Sequence, residues 1–393
     1  MATLNEAPMT SRERLLAAIT RSLPDRLPVT THHVMPYFLN RYLGGVTAQQ
    51  FFDDFGLDAI VWTVPHKPDP ARGEYADPLQ GEPGFLESRR VSTDDWRVHS
   101  EDVSAEERKR TRYRFVTPRG EIGMTLEDAG YTAWVVEPLI KQKHDIDLIG
   151  QYATAPKCDV PAVNSLARAF GDRGIVRGHI CCFDVFGQPG CWQDAACLVG
   201  PQNLVMAAHD DPAWVHELLR ILQRRKLRFI ESLAGARYDI LELGGGDASA
   251  SVISPRMFDE FVAPYDSVLI DAAHRAGQRI VYHICGRIMP LLERIAGMKP
   301  DAMETFTPSG MGGDTDLAKA KERVGERVCM IGGFDQFHFF TGCDEASTRA
   351  EVRRCFREAG ANGGYILCPS DHFFDAAPAL VRAFASEASR CSY

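Results

Sequence analysis

Apolar positions along the chain fall into two alternating rhythms. Short β-branched or alternating runs read as strands: P-V-T-T-H-H-V (28–34), D-A-I-V-W-T-V (58–64), I-V-R-G-H-I-C-C-F (175–183), Y-D-I-L-E-L (238–243), R-I-V-Y-H-I-C (279–285), A-M-E-T-F (302–306), V-C-M-I-G-G (328–333) and Y-I-L-C (365–368). Segments with helical period lie between most of them. Asp211-Pro212 opens a long one, with Asp as N-cap and Pro in the first turn. Ser254-Pro255 opens another, which Pro264 should kink and Gly277 should end. Further helices are expected at 289–297, 316–325, 344–359 and 376–389.

Strand and helix in alternation is the pattern of a parallel sheet, and eight such strands predict an α/β TIM (β/α)8 barrel. Residues 67–130 break the rhythm. They are rich in Arg, Glu, Asp, Gly and Pro, and R-Y-R-F-V-T and E-I-G-M-T-L alternate like antiparallel strands. They are expected to form a hairpin-rich insertion near one mouth of the barrel, within a single domain spanning 1–393.

Composition narrows the partners. A formal charge of -9 argues against a nucleic-acid backbone or an anionic membrane surface as ligand. No basic-then-apolar leader precedes S-R-E-R-L-L-A-A-I, and no apolar run is long enough to span a bilayer, so a cytoplasmic location is expected. Eleven cysteines, odd in number and irregularly spaced, are expected to be reduced thiols that serve packing, metal binding or catalysis.

The candidate chemistry centres on Y-H-I-C-G-R (282–287). Residues i and i+2 of a strand share a face about 6–7 Å apart, so His283 and Cys285 can converge on one ion. Cys368 closes the last predicted strand, and strand carboxyl ends in a barrel surround one mouth. One imidazole and two thiolates with an open fourth position suit catalytic zinc. The bland reading is a core histidine with two core cysteines. A second His-Ile-Cys, at His179 and Cys181, has the same geometric claim, and spacing alone does not rank the two.

The segments G-G-G-D-A-S-A-S-V-I-S-P-R-M-F-D-E-F-V-A-P-Y (244–265), Y-H-I-C-G (282–286), I-G-G-F-D (331–335) and G-G-Y-I-L-C-P-S (363–370) do rank them. They resemble the uroporphyrinogen decarboxylase superfamily, and within it the branch of corrinoid-dependent zinc methyltransferases and O-demethylases. The resemblance covers residues 165–390 well and the N-terminal third in outline. It implies a TIM barrel, zinc on His283, Cys285 and Cys368, and a corrinoid (cobalamin) cofactor. The corrinoid would arrive free or on a separate protein, since the Asp-to-His spacing of D-Q-F-H-F-F-T-G (335–342) is one residue too long for the D-x-H-x-x-G corrinoid signature. The decarboxylases clamp their substrate's carboxylates with arginines after the first strand, but here P-V-T-T-H-H-V-M-P-Y-F-L-N offers none before Arg41.

The implied reaction moves a methyl group from or to a small methylated molecule, demethylation of methoxylated aromatics among the cases. Glu242 and Asp247 flank the glycine run and are candidate acid–base groups or a displaceable fourth zinc ligand; an interior carboxylate held by Arg and a turn residue are the structural alternatives. His179, Asp184, Trp62, Tyr265 and His372 are candidate walls of the substrate pocket, with His66, Tyr131 and Trp134 as further aromatic lining. Two other functions stay open: metal-free decarboxylation of a porphyrinogen-like acid, and a noncatalytic binding protein that zinc stabilises.

Overall fold

The computed structural model describes residues 8–84, 86–105 and 108–393. Seven strands form one parallel sheet, paired in chain order: β1 (Ala59–Trp62), β2 (Gly174–His179), β3 (Ile240–Gly244), β4 (Ile280–His283), β5 (Ala302–Thr305), β6 (Cys329–Phe334) and β7 (Tyr365–Pro369). Sequential parallel pairing with helical crossovers is the TIM-barrel-like plan expected from the sequence.

The eighth expected strand, 28–34, is reduced to one parallel bridge between Val29 and Leu367. Asp58 accounts for its brevity. Its Oδ2 accepts the Val29 N–H at 3.0 Å, and its own N–H donates to the Val29 carbonyl at 2.7 Å, so both Val29 backbone groups are taken where a ladder would continue. Arg14 and Arg26 hold the Asp58 carboxylate in place.

The chain divides into two compact units. Unit 1 holds the described residues up to Val61, Leu166–Arg177 and Cys285–Tyr393, and unit 2 holds Trp62–Ser165 and Gly178–Ile284. In unit 1, β5, β6 and β7 pair with Glu304 opposite Ile331 and Gly333 opposite Cys368. Every residue of these three strands is buried, as expected for a sheet covered on both faces.

In unit 2, β3 and β4 pair with Glu242 opposite Val281 and Gly244 opposite His283. Helix α1 (Pro212–Glu231) has the expected cap, with the Asp211 side chain accepting the Trp214 N–H. The helix after Ser254 is not a simple kinked helix: a five-residue π turn, Phe258–Val262, precedes α2 (Ala263–Arg275). Pro264 has no N–H to give, and the wider turn absorbs that missing bond before the α-helix resumes.

The antiparallel insertion is a four-stranded sheet of Arg97–Asp102, Lys109–Thr117, Gly120–Asp128 and Ala133–Glu137. It therefore runs beyond the expected limit of 130. Its last strand shows mostly exposed side chains, so it lacks the inside–outside alternation that marks its neighbours. Trp96, Phe115 and Phe183 anchor the sheet within unit 2, with ring centroids 5.1–6.2 Å apart. No helix among the described residues is long and apolar enough to cross a membrane.

Candidate functional site

A buried polar cluster of unit 1 is built on Glu304 of β5. Arg177, at the end of the unit's β2 segment, grips both carboxylate oxygens, with NH1 3.0 Å from Oε2. Both side chains are only 2% exposed, so each charge depends on the other. His32 Nε2 lies 3.1 Å from Glu304 Oε1. The neighbouring His33 ring sits 4.0 Å from that of His32.

Cys368 shares a face with Glu304. It pairs opposite Gly333, two positions beyond the Ile331 that stands opposite Glu304, so parallel register sets both side chains to the same side. Burial and the nearby Glu304 carboxylate push its thiol well above the usual range. Asp371 and His372 follow directly, with His372 Nδ1 2.9 Å from Asp371 Oδ1. His372 stacks toward His33 at 6.2 Å, and ring nitrogens of His32, His33 and His372 all lie within 4.8 Å of one another. Cys285 is half-buried, just before Gly286, whose N–H donates to Thr307 Oγ1.

In unit 2, register places Glu242 and His283 on the same face of adjacent strands, one residue pair apart along the face. His179 Nδ1 lies 2.9 Å from the Ile180 carbonyl, which can only accept. Burial lowers the pKa of His179 and keeps it neutral. His66 is driven further, to about 3, by burial and then by His179 and Arg225. Part of His66 reaches the surface, but its Nε2 is enclosed. The companion thiol Cys181 is raised by burial to about 11 and Cys182 to about 12.

Asp247 follows β3. Gln193 holds it, donating from Nε2 to Oδ2 at 2.7 Å while its Oε1 accepts the Asp247 N–H at 2.6 Å. Burial raises the Asp247 carboxyl above its ordinary range.

Asp184 is bound by Arg225 and by the Trp96 indole N–H at 2.9 Å. Tyr265 sits on α2, its hydroxyl 2.8 Å from His216 Nδ1 on α1. Trp62 is half-buried at the end of β1. Tyr131 and Trp134 are exposed, at 45% and 41%. An open pocket of about 450 Å³ in unit 2, walled by Lys67, Asp69, Arg72, Lys157 and Arg228 among others, contains none of the expected site residues.

A family profile for uroporphyrinogen decarboxylase (URO-D) matches residues 185–389, more than half of the chain. The chain belongs to the uroporphyrinogen decarboxylase family. Curated members similar to it include the uroporphyrinogen decarboxylase of Hydrogenovibrio crunogenus, 26% identical over 166 residues, covering 40% of this chain and 43% of the relative. Another is that of Trichodesmium erythraeum, 21% identical over 260 residues, covering 64% and 68%. The chain thus spans less than half the length of the first and about two thirds of the second. Among solved structures, a methyltransferase from Methanosarcina mazei superposes with a TM-score of 0.60 at 15% identity, covering 97% of this chain and 99% of that one. That is a likeness of fold, and it extends over the N-terminal third, which the family profile does not reach.

Sequence reasoning missed His32, His33, Arg177, Glu304 and Asp371. On a regular strand His32 and His33 would point to opposite faces. They meet only because the strand stops at the Val29 bridge. A signal was present in T-T-H-H itself, two adjacent imidazoles at the end of an apolar run.

Proposed function

We propose that this member of the family is a zinc-dependent methyltransferase that works with a corrinoid, free or carried by a separate protein, on a small methylated substrate. Cys368 carries the reading: a buried thiol near the carboxyl end of β7, where carboxylate chemistry has no use for one. Arginine availability supports it as well. Arg26, the cation closest to the first segment, is tied to Asp58, and Arg177 is tied to Glu304, so neither is free to clamp a substrate carboxylate.

His283, Cys285 and Cys368 are the proposed ligands, a nitrogen–sulfur donor set that fits zinc. A thiol held as high as Cys368 gives up its proton when a cation takes its place. Zinc bound there would supply Lewis acidity toward a methyl donor, or hold an acceptor thiol as thiolate.

The chain's own groups do the rest. Asp247, its carboxyl raised by burial and held by Gln193, is the first proposed acid–base group. Glu242 is the second proposed acid–base group. His179, kept neutral by burial, is proposed as part of the wall that lines the substrate pocket. Asp184 keeps that wall in shape through Arg225 and Trp96.

The test is cobalt substitution with methyl-transfer assays. Thiolate-to-cobalt charge-transfer bands are expected in the native chain, and both the bands and transfer to or from cobalamin should be lost in Cys285→Ser and Cys368→Ser. Undiminished bands in Cys368→Ser would end the ligand assignment. The relatives' names keep one rival in view, and carbon dioxide release from a porphyrinogen carboxylate by metal-stripped protein would favour decarboxylation.

A further inference from the structure

The three histidines of unit 1 have no role in the thiolate set, and their surroundings are those of metal ligands. His32 and His33 leave the Val29 bridge together, and His372 comes off the end of β7. A ring nitrogen of each lies within 4.8 Å of the other two. Two carboxylates orient the rings: Glu304 Oε1 lies 3.1 Å from His32 Nε2, and Asp371 Oδ1 lies 2.9 Å from His372 Nδ1.

A carboxylate ion only accepts, so each of those ring nitrogens carries a proton. On a metal-bound ring the donor would then be the opposite atom, Nδ1 of His32 and Nε2 of His372. A carboxylate behind a histidine, fixing its tautomer and raising its basicity, is the usual outer shell of a metal-bound imidazole. Here the arrangement occurs twice, and Arg177 in turn holds Glu304 from its other side.

We infer that His32, His33 and His372 form a three-histidine site for a divalent transition metal of the zinc–cobalt–nickel class, with ligands separate from the proposed thiolate set. Protonated rings packed this closely would repel one another, whereas neutral rings around a dication satisfy one another's geometry. An all-imidazole set disfavours calcium and magnesium, which take oxygen ligands. His33 and His372 are half-buried, so a fourth position is open to water or to a small anionic ligand such as a carboxylate or phenolate. The inference rests on unit 1 alone and does not require the methyltransferase reading.

Cobalt(II) titration of the full chain tests it. The Cys285→Ser/Cys368→Ser double variant should still bind one equivalent, with imidazole scattering and no sulfur in its X-ray absorption spectrum. His372→Ala, made in the otherwise native chain, should lower capacity by one equivalent, and Asp371→Asn should weaken that equivalent by about 10–100-fold. Both His372 and Asp371 lie partly at the surface, which protects these variants from misfolding. A native capacity unchanged by both His33→Ala and His372→Ala, or a well-folded double cysteine variant that binds no cobalt, would overturn the inference. If charge-transfer bands are missing from the native chain while the nitrogen-ligated equivalent persists, the thiolate assignment fails and this site stands.

Discussion

Arg177 and Glu304 show how much a single pair decides. Both are buried at 2% exposure, and neither sits in a sequence context that names its partner. Arg177→Met takes the guanidinium partner away from the buried Glu304 carboxylate and should cost about 3–5 kcal/mol in urea unfolding. Replacing both residues with apolar ones of similar volume should cost much less, and equal losses in the single and double variants would disprove the coupling. His66 sets a different residue-scale expectation. Its pKa is about 3 in the folded chain against about 6.5 when unfolded, so the unfolded chain binds the extra proton first. The stability this neutral ring contributes is complete above pH 6.5 and is lost as pH falls toward 3, at up to about 1.4 kcal/mol per pH unit. His66→Phe, facing Phe229 at 5.2 Å, should flatten that part of the stability–pH curve; an unchanged slope would place the acid sensitivity elsewhere.

Among the elements, the strands of the sheet were legible because parallel strands covered on both faces are short continuous apolar runs, and seven of the eight runs became strands. The first did not: Asp58, 29 residues away, takes both backbone groups of Val29, the N–H with its carboxylate and the carbonyl with its own N–H. Buried cations on α1 were equally hidden. Lys226 looks like a solvent-facing charge in sequence, yet it is buried against Asp194 at 2.8 Å. The closest approach between β5 and β6 is set by glycine: a Cβ on Gly332 would lie 1.8 Å from the Thr305 carbonyl, at a φ of +122°. Gly332→Ala should therefore destabilise the chain by about 3 kcal/mol or more, or prevent soluble expression. A variant with native thermal unfolding would show that the two strands can move apart.

At the scale of the whole molecule, family membership and the barrel-type sheet agree with the alternation of the sequence, while the chemistry still rests on which side chains collect a metal. The proposed function predicts that methyl transfer by the purified chain requires an added corrinoid, measured as the spectral change between methylcobalamin and cob(I)alamin. Turnover of a methylated substrate without any corrinoid would remove that part of the proposal.

Local pattern was enough to determine the alternating fold, the positions of seven strands and the family, because periodicity and short motifs are properties of contiguous residues. It also singled out His283, Cys285 and Cys368 as candidates, through spacing and resemblance. Only the tertiary structure decided that His32, His33 and His372 would meet, that Arg177 would be consumed by Glu304, and that Asp184 would be held by Arg225. Those pairings join residues up to 340 positions apart. A single strand that stops early, and a buried charge that must find its opposite, are settled by packing and desolvation across the fold, which no short window of sequence contains.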